Sequence, residues 1–518
     1  MSIVVLVEID VTSPAGAAGV LRFSDRAIRP FPPSAGDRAN QPWDDRILEA
    51  PSLRRALFDD LANLTPGLGY GVMTLANADR ALDPYQAHSW GEIRCWRWPE
   101  GEPFAAAVSV LSGRCSQPSF GLRSSQVGRV GLALYDLRAD LEGPLQATVY
   151  EGTNGVGGVL YEGAPDGLKG RVKPLAYGRL DDAHLPAPQV NGAVLAHQLH
   201  AGALQGSEAV FDRGDAAGFT DAGNYAGGAF DAYNPAPAAY ATDLGRGLLK
   251  INGDPVGRLT FGVRGDAVGG YVETTGPILA RLLAQAGVAP GRIDASVAAV
   301  PSTAIIGAWF GDQISARDAL GWVAKSAAVA LAPGRDGVWR ADLFSAPAGV
   351  AAHVIAADEV VDIEADETAP APAGEVQVGW GRLWTTFDGG ELAPALRGTS
   401  AEARLAQDYR YAVDVDEVAK ARFPGVWRTL KVPTALRSEA DAIALAGELK
   451  ALFGLRADGK PRRMWRVTLP LTEPRLSLQL GATVELSYPP AGIEERFVLV
   501  GEEPMRPSRD LIIWTLWG

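Results

Sequence analysis

The stretch MWRVTLPLTEPRLSLQLGATVELSYPPAGIEERFVLVGEEPMRPSRDLIIWTLWG, Met464–Gly518, decides the fold class. Apolar residues recur in it at alternate positions: Trp465, Val467 and Leu469; Leu476, Leu478 and Leu480; Val484, Leu486 and Tyr488; Phe497 and Leu499; and Ile512, Trp514 and Leu516. A period of two turns every second side chain toward a core, so the stretch predicts an antiparallel meander closing as a small barrel. Pro489–Gly492 (PPAG) supplies one turn and Pro507–Arg509 another.

The N-terminal end has the same character. Ile3–Asp10 and Val20–Phe23 are β-branched and apolar, and PFPP at Pro30–Pro33 then stops regular structure. SLRRALFDDL (52–61) repeats Leu53, Leu57 and Leu61 every four residues and predicts a short helix. Strands follow through GVMTLANADRALD, EIRCWRW, AAAVSVLSG and RVGLALYDL, while GLGYG (Gly67–Gly71) and GTNGVGG (Gly152–Gly158) read as turns. From Leu141 to about Gly276, glycine is dense and charge thin, which predicts loops with short strands.

Three helices are expected beyond that. GPILARLLAQAG (Gly276–Gly287) places Ile278, Leu282 and Leu283 on one side with Gly287 as its C-cap. A second runs from Ser315 to Leu331, capped by Ser315 and Asp318; Ala316, Leu320, Val323, Ala324, Ala327 and Leu331 form its stripe, with Trp322 and Val329 opposite. The third, Ser438–Phe453, is capped by Ser438 and Asp441 and carries Ala442, Leu445, Ala446, Leu449, Leu452 and Phe453 on one face. It ends at Lys450 and at Gly454 in the left-handed conformation. The acidic, then Pro/Ala-rich AADEVVDIEADETAPAPAG (Ala356–Gly374) reads as a solvated linker or loop near a domain boundary.

Composition narrows the function. Net charge is −13, and only eight of the 48 basic residues are Lys, which argues against an electrostatic grip on nucleic acid. Cys95 and Cys115 are too few for a disulfide scaffold and read as two buried thiols. MSIVVLVEIDV has no basic region before its apolar run, and Glu8 and Asp10 break it. No uninterrupted apolar stretch is long enough to span a bilayer, so the chain is expected to be soluble, made in the cytoplasm, without stable membrane insertion.

Catalytic and metal signatures are weak. The histidines His88, His184, His197, His200 and His353 stand outside any HExxH context, and His197 and His200 would share a face only on a helix that the nearby glycine disfavours. There is no nucleophile elbow, phosphate loop or dinucleotide fingerprint, and no pair among the 61 carboxylates is singled out for glycoside hydrolysis. Trp90, Trp96 and Trp98 suit a core or subunit contact better than a sugar platform, and RGD at Arg213 and at Arg264 is explained by the abundance of Arg and Gly. No enzyme activity, cofactor or metal is expected.

Three stretches carry a family resemblance. SLRRALFDDL with LTPGLGYGVMTLANADRALDPYQAHSWGEI resembles the opening of tail-tip (baseplate) hub proteins of long-tailed phages and prophages. LYEGAPDGLKGRVKPLAYGRLDDAHLP (Leu160–Pro186) is similar to that family's recurring structural segment, with Gly163, Gly167, Lys169, Gly170, Lys173, Pro174, Tyr177 and Gly178 in place. The chain's end resembles the family's closing barrel, and ISARDALGWVAKSAAVALAPGRDGVWRADLF resembles its helix-then-hairpin unit. The resemblance implies a homotrimeric structural protein of the virion tail tip that joins the sixfold tail tube to the narrower tip through two similar β-barrels. Its implied partners are itself, distal-tail and other tail-tip proteins, and the tape-measure protein, with DNA only in transit during genome ejection. No peptidase, lysozyme or collagen-like segment is seen, so wall degradation is not expected of this chain.

The expected fold class is thus mainly β with inserted helices (α+β) and multidomain, two small β-barrels flanking helix-containing middle domains. Its parts are an N-terminal β-barrel domain (1–145), a Gly-rich β/loop domain (146–275), a helix-plus-hairpin domain (276–360) and a C-terminal β-barrel domain with one long helix (361–518). Trp322, Val329, Trp514 and Trp517 are candidate subunit contacts. A distal-tail ring or fibre adaptor is the alternative, and a glycan-binding or glycan-cleaving tail protein the second.

Overall fold

The computed structural model describes residues 2–121, 127–216, 218–367, 369–505 and 510–518, so the turn expected at Pro507–Arg509 lies outside the described residues. The chain is mainly β with inserted helices. Its N-terminal sheet holds β1 (Ile3–Thr12), β2 (Ala18–Ser24), β3 (Ile47–Ala56), β4 (Tyr70–Ala76), β5 (Ser89–Pro99), β6 (Val108–Cys115) and β7 (Arg129–Asp136). Their order is β2-β1-β5-β6-β7-β4-β3, with antiparallel neighbours throughout. β1 is a nearly unbroken apolar run because both of its faces are covered. Val5, Val7, Ile9 and Val11 enter a core that also holds residues of the C-terminal end of the chain, while Val4 and Leu6 pack with Phe31, Trp43 and Trp98 on the other side.

The expected helix over SLRRALFDDL is instead the end of strand β3 and a second short strand, Phe58–Asp60, paired with Thr65–Pro66. Leu53, Arg55 and Leu57 are all buried and Arg54 is exposed, which is alternation and not a helical stripe. β4 lies against β3 with Leu53 opposite Gly71, and a Cβ on Gly71 would stand 1.8 Å from the Ser52 carbonyl oxygen. GLGYG is therefore a close-packing element leading into β4, not a free turn.

The middle of the chain contains β8 (Leu175–Leu185), β9 (Ala196–Gln198), β10 (Leu204–Asp212), β11 (Ala239–Asp243), β12 (Leu248–Asn252), β13 (Leu259–Asp266), helix α1 (Thr275–Gln285) and β14 (Gly307–Phe310). One sheet runs β10-β13-β8-β14, and β9, β12 and β11 form the centre of another. Helix α2 (Ala316–Ala324) begins as expected, with Ser315 Oγ accepting the Asp318 amide at 3.0 Å. It stops seven residues short of Leu331. A 3₁₀ turn and a left-handed Ala328 lead into the hairpin of β15 (Val329–Pro333) and β16 (Trp339–Leu343), whose ladder claims Val329 and Leu331.

Next come β17 (His353–Ile355) and β18 (Asp362–Ala365), so the acidic stretch is not wholly a linker: β18 pairs with a strand of the C-terminal sheet. A separate unit is then inserted, with β19 (Ala373–Trp380), helix α3 (Ser400–Leu405), β20 (Arg410–Val415), β21 (Arg428–Pro433) and helix α4 (Glu439–Phe453). α4 buries the six residues of its expected stripe against the sheet β20-β19-β21. Gly454 ends it in an extended conformation, not the left-handed one, and its missing side chain lets the Lys450 carbonyl approach to 2.6 Å of a Cβ position. The C-terminal sheet is completed by β22 (Met464–Pro470), β23 (Thr483–Tyr488), β24 (Ile493–Met505) and β25 (Leu511–Trp517). Helix α5 (Glu473–Ser477) takes Leu476 out of the expected alternation.

The two end sheets are curled, but neither closes into the expected barrel of continuous ladders. In the first, β2 meets the residues just before β3 through the parallel pairs Phe23↔Asp44 and Ser24↔Asp45 and the Arg46 amide, which donates to the Ser24 carbonyl at 3.2 Å, and makes no ladder with β3 itself among the described residues. In the second, β17 and β18 lie at opposite ends of the order β17-β23-β24-β25-β22-β18. What joins the two is a short ladder between β3 and β24, Ala56↔Gly501 and Arg55↔Glu502. One apolar cluster runs through both, including Val7, Ile93 and Leu134 from the first and Val467, Phe497 and Trp514 from the second.

Over that seam lies a charged group. Arg55 Nε donates to Glu502 Oε1 at 2.8 Å and Arg335 donates to the other carboxylate oxygen; the three residues are 4%, 3% and 2% exposed in the order Arg55, Glu502, Arg335. Arg55 also donates to the Pro333 carbonyl at 2.9 Å, and Arg335 to the carbonyls of Leu476 and Leu478, each at 2.6 Å. Burial alone would favour the neutral acid, but Arg335 and Arg55 hold Glu502 below the usual glutamate range. Glu502→Gln leaves two buried guanidiniums without a counter-charge and is expected to destabilise the fold by about 3–5 kcal/mol in urea denaturation at neutral pH. Because the folded carboxyl is the stronger acid, the difference is full above the ordinary glutamate pKa of about 4.3 and shrinks as pH falls below it. A loss under about 1 kcal/mol, the scale of an exposed pair, would show that the seam does not depend on this charge.

Candidate functional site

The segment with the family-like glycine pattern forms the approach to β8 and its first half. Gly163, Gly170 and Gly178 all have positive φ, at 74°, 78° and 68°. Gly178 is inside β8, where a Cβ would stand 2.1 Å from the Ile306 carbonyl oxygen; only glycine permits β14 to lie this close. Gly167, Lys169 and Gly170 are on the surface, and Lys169 and Gly170 are tied to Tyr150 by a backbone bridge and a 2.8 Å hydrogen bond. Pro174 is buried, and its carbonyl accepts the Ala201 amide at 2.7 Å.

Lys173 lies on a polar cavity of about 500 Å³ together with Tyr161, Glu162, Gln198, Asp231 and Arg246. Its charges are matched. Lys173 pairs with Glu162 at 2.5 Å, and Arg246 with Asp231 at 2.7 Å and Asp243 at 2.6 Å. A site already balanced in this way holds loops together and leaves no surplus charge for a ligand.

Tyr177 is buried beside a second cavity of about 440 Å³ that also touches His200, Asp266 and Arg281. The grouping looks like a general-base arrangement, yet the hydrogen bonds give another answer. His200 Nδ1 accepts the Ala176 amide at 2.9 Å, and Nε2 faces Asp266 Oδ1 at 3.6 Å, so the remaining ring proton belongs on Nε2. No lone pair is left to take a proton from a substrate. Burial works against the Asp266 charge, but His200 and Arg281, the latter at 2.5 Å, keep it below the usual carboxylate range. The centre ties β8, β13 and α1 to one another.

His197 is on β9, its Nδ1 bonded to the Ala187 carbonyl at 3.1 Å and its ring against Phe261. Among the described residues no group of three or more His, Cys, Asp or Glu is placed to hold a metal ion. Cys95 on β5 and Cys115 on β6 are free and buried. Burial raises both thiols, Cys115 to about 12. Cys95 stands opposite Leu111, four residues along β6 from Cys115, which puts about 13 Å between them along the strand.

The four candidate subunit contacts divide. Trp514 and Trp517 are 0% and 1% exposed and Val329 is 3%, so the chain's own core uses all three and they are not available to a partner. Trp514 enters the core shared by the end sheets, and Trp517, on the opposite face of β25, stacks near Phe344 and Phe453. Trp322 alone stays partly exposed, edge-on to Phe310 and Trp384 with the Arg382 guanidinium 5.3 Å above its ring. The surface residues that the sequence reading missed are Tyr70, Val72 and Tyr135, which are 61%, 59% and 37% exposed on adjacent strands β4 and β7. Tyr70 faces Tyr135 directly across the ladder. Once SLRRALFDDL is read as a strand, the alternation Tyr70, Val72 on its neighbour becomes visible as the outer face.

Burial above all, opposed by Asp182 and aided by Arg404 and Arg437, lowers His184 to about 4. The folded chain therefore keeps this ring neutral, with Nδ1 3.0 Å from Thr260 Oγ1, while the unfolded chain takes up a proton near 6.5. Its contribution to stability is complete above about pH 6.5 and is lost as pH falls toward 4. The stability difference between the native chain and His184→Gln is expected to narrow over that interval in denaturation at stepped pH; a constant difference would contradict a neutral buried ring.

No protein-family model and no curated protein matches the chain. Among solved structures it is similar to a tail protein from Neisseria meningitidis MC58, at 10% identity over 99% of this chain and 96% of that one, with a TM-score of 0.41. It is similar also to a tail protein of prophage MuSo2 from Shewanella oneidensis (11% identity, 98% of each chain, TM-score 0.37) and to prophage tail protein gp18 from Listeria monocytogenes EGD-e (8%, 99% and 94%, TM-score 0.34).

Proposed function

We propose that this chain is a structural protein of a phage tail, the trimeric hub of the tail tip, which joins the tail tube to the tip and surrounds the channel for DNA or tape-measure passage. The observation that carries the reading is the pairing of two curled β-sheets, one from each end of the chain, on a single ladder with one shared core. A closed trimer of such subunits offers a ring of alternating β-units to a sixfold neighbour, which a subunit with one sheet could not do. The segment from Leu160 to Pro186 supports it, since Gly178 serves the close backbone packing of β8 on β14. The exposed Tyr70, Val72 and Tyr135 are suited to contact with distal-tail or other tail-tip proteins. The role is structural, in the virion tail, without catalysis.

Two measurements test it. Native mass spectrometry of the assembled tip is expected to find three copies of the 54.5 kDa chain. Electron microscopy with an antibody to the chain is expected to label the tail tip. A hexamer would favour a distal-tail ring or fibre adaptor, and a stable monomer that binds saccharide would favour the glycan reading.

A further inference from the structure

Arg404, Arg410 and Arg437 meet beside the turn at Gly381, where α3, β20 and the residues before α4 come up to the end of β8. Arg437 donates to Asp182 and, at 2.9 Å, to the Arg382 carbonyl. Arg404 donates to the Gly381 carbonyl and, at 3.1 Å, to that of Gln407. Arg410 sits over Trp380 with its guanidinium carbon 3.5 Å from the ring centroid, and its buried Nε has no hydrogen-bond partner among the described residues. The point that a Gly381 Cβ would occupy is 2.8 Å from Arg410 Nη2 and 3.5 Å from Arg404 Nη2, so the two guanidinium edges converge on one place.

The charges there do not balance. Asp182 acts on all three arginines and Glu439 on Arg410, yet among the described residues neither Arg404 nor Arg410 has a carboxylate within salt-bridge distance. All three are partly buried, in a chain of net charge −13. We propose that Arg404 and Arg410, walled by the Arg437–Asp182 pair, form a binding site for a single oxyanion of the phosphate or carboxylate kind. A guanidinium presents parallel N–H donors that fit such oxygens two at a time, and the Trp380 face holds Arg410 in place before the anion arrives. Burial, and then the like charge of Arg410, lower Arg404 to about 10, a repulsion that a bound anion relieves. One focus of charge with no basic stripe leading from it fits one anionic group and not a nucleic-acid backbone.

The test is titration of the full chain with inorganic phosphate at constant ionic strength, followed by calorimetry or by ³¹P line width. Saturable binding is expected, weakened at least about tenfold by Arg410→Gln and by Arg404→Gln, less by Arg410→Lys, and unchanged by Arg54→Gln on the distant outer face of β3. Circular dichroism identifies a variant that has failed to fold, and Arg410→Lys then carries the comparison. Competition by a peptide spanning residues 357–367 assigns the site to a protein carboxylate; phosphate binding indifferent to that peptide assigns it to the free ion. Absence of saturable binding by either probe, or binding equal in the native chain and both Gln variants, overturns the proposal.

Discussion

The union of the two end sheets depends on Glu502 lying between Arg55 and Arg335. The β3–β24 ladder is only two residue pairs long, which by backbone hydrogen bonding alone is a weak and easily shifted contact. Arg55 is directly opposite Glu502, so sliding β24 by one residue would aim the carboxylate at the other face and bury two guanidiniums without an anion. The ion group thus specifies register more than it adds stability, since moving three charges out of water costs much of what their attraction returns. It also brings in a third part of the chain: Arg335 follows the β15 strand, and Arg55 bonds the last carbonyl of that strand. Partners 447 residues apart meet at this point.

That separation explains what could be read from the sequence. Helices α1 and α4 were legible because cap, apolar stripe and terminus all lie within one short window, as at Ser438, Leu445 and Phe453. Over residues 52–61 the leucines Leu53, Leu57 and Leu61 fit a helical repeat and a strand alternation equally, and the position that separates the two is Arg55 in β3, polar by type and buried in fact. Its counter-ion is at the far end of the chain, so local reasoning puts it in solvent and chooses the helix. The region after Ala324 fails for a different reason. VALAP is apolar at nearly every position, and a run of that kind carries no period until the facing strand β16 is known.

The candidate sites show the same division. The glycines of the Leu160–Pro186 segment are visible in the sequence, and the structure gives a reason for Gly178 in the 2.1 Å approach of the Ile306 carbonyl. The arginine cluster is not visible. Arg404, Arg410 and Arg437 belong to a helix, a strand and a loop, and each looks like an ordinary surface residue beside its own neighbours. Trp514 is legible as a core residue from its place in the alternation with Ile512 and Leu516, whereas Trp517, on the other face of β25, is covered by Phe344 and Phe453 from elsewhere in the chain, which no local pattern announces.

Eight of the 48 basic residues are Lys, and four of the arginines are used indoors. Arg55, Arg138, Arg335 and Arg475 are each less than 5% exposed, and each donates to at least one main-chain carbonyl, of Pro333, Leu57, Leu476 with Leu478, and Pro470 in turn. A protein built of short strands and long connections buries many carbonyls that no ladder reaches, and every one of them must find a donor. A guanidinium offers five N–H groups in a fixed plane and can satisfy a carboxylate and two carbonyls together, as Arg335 does, whereas an ammonium is a compact, strongly hydrated charge with three donors. At these four positions arginine to lysine is therefore a disruptive exchange even though it conserves charge.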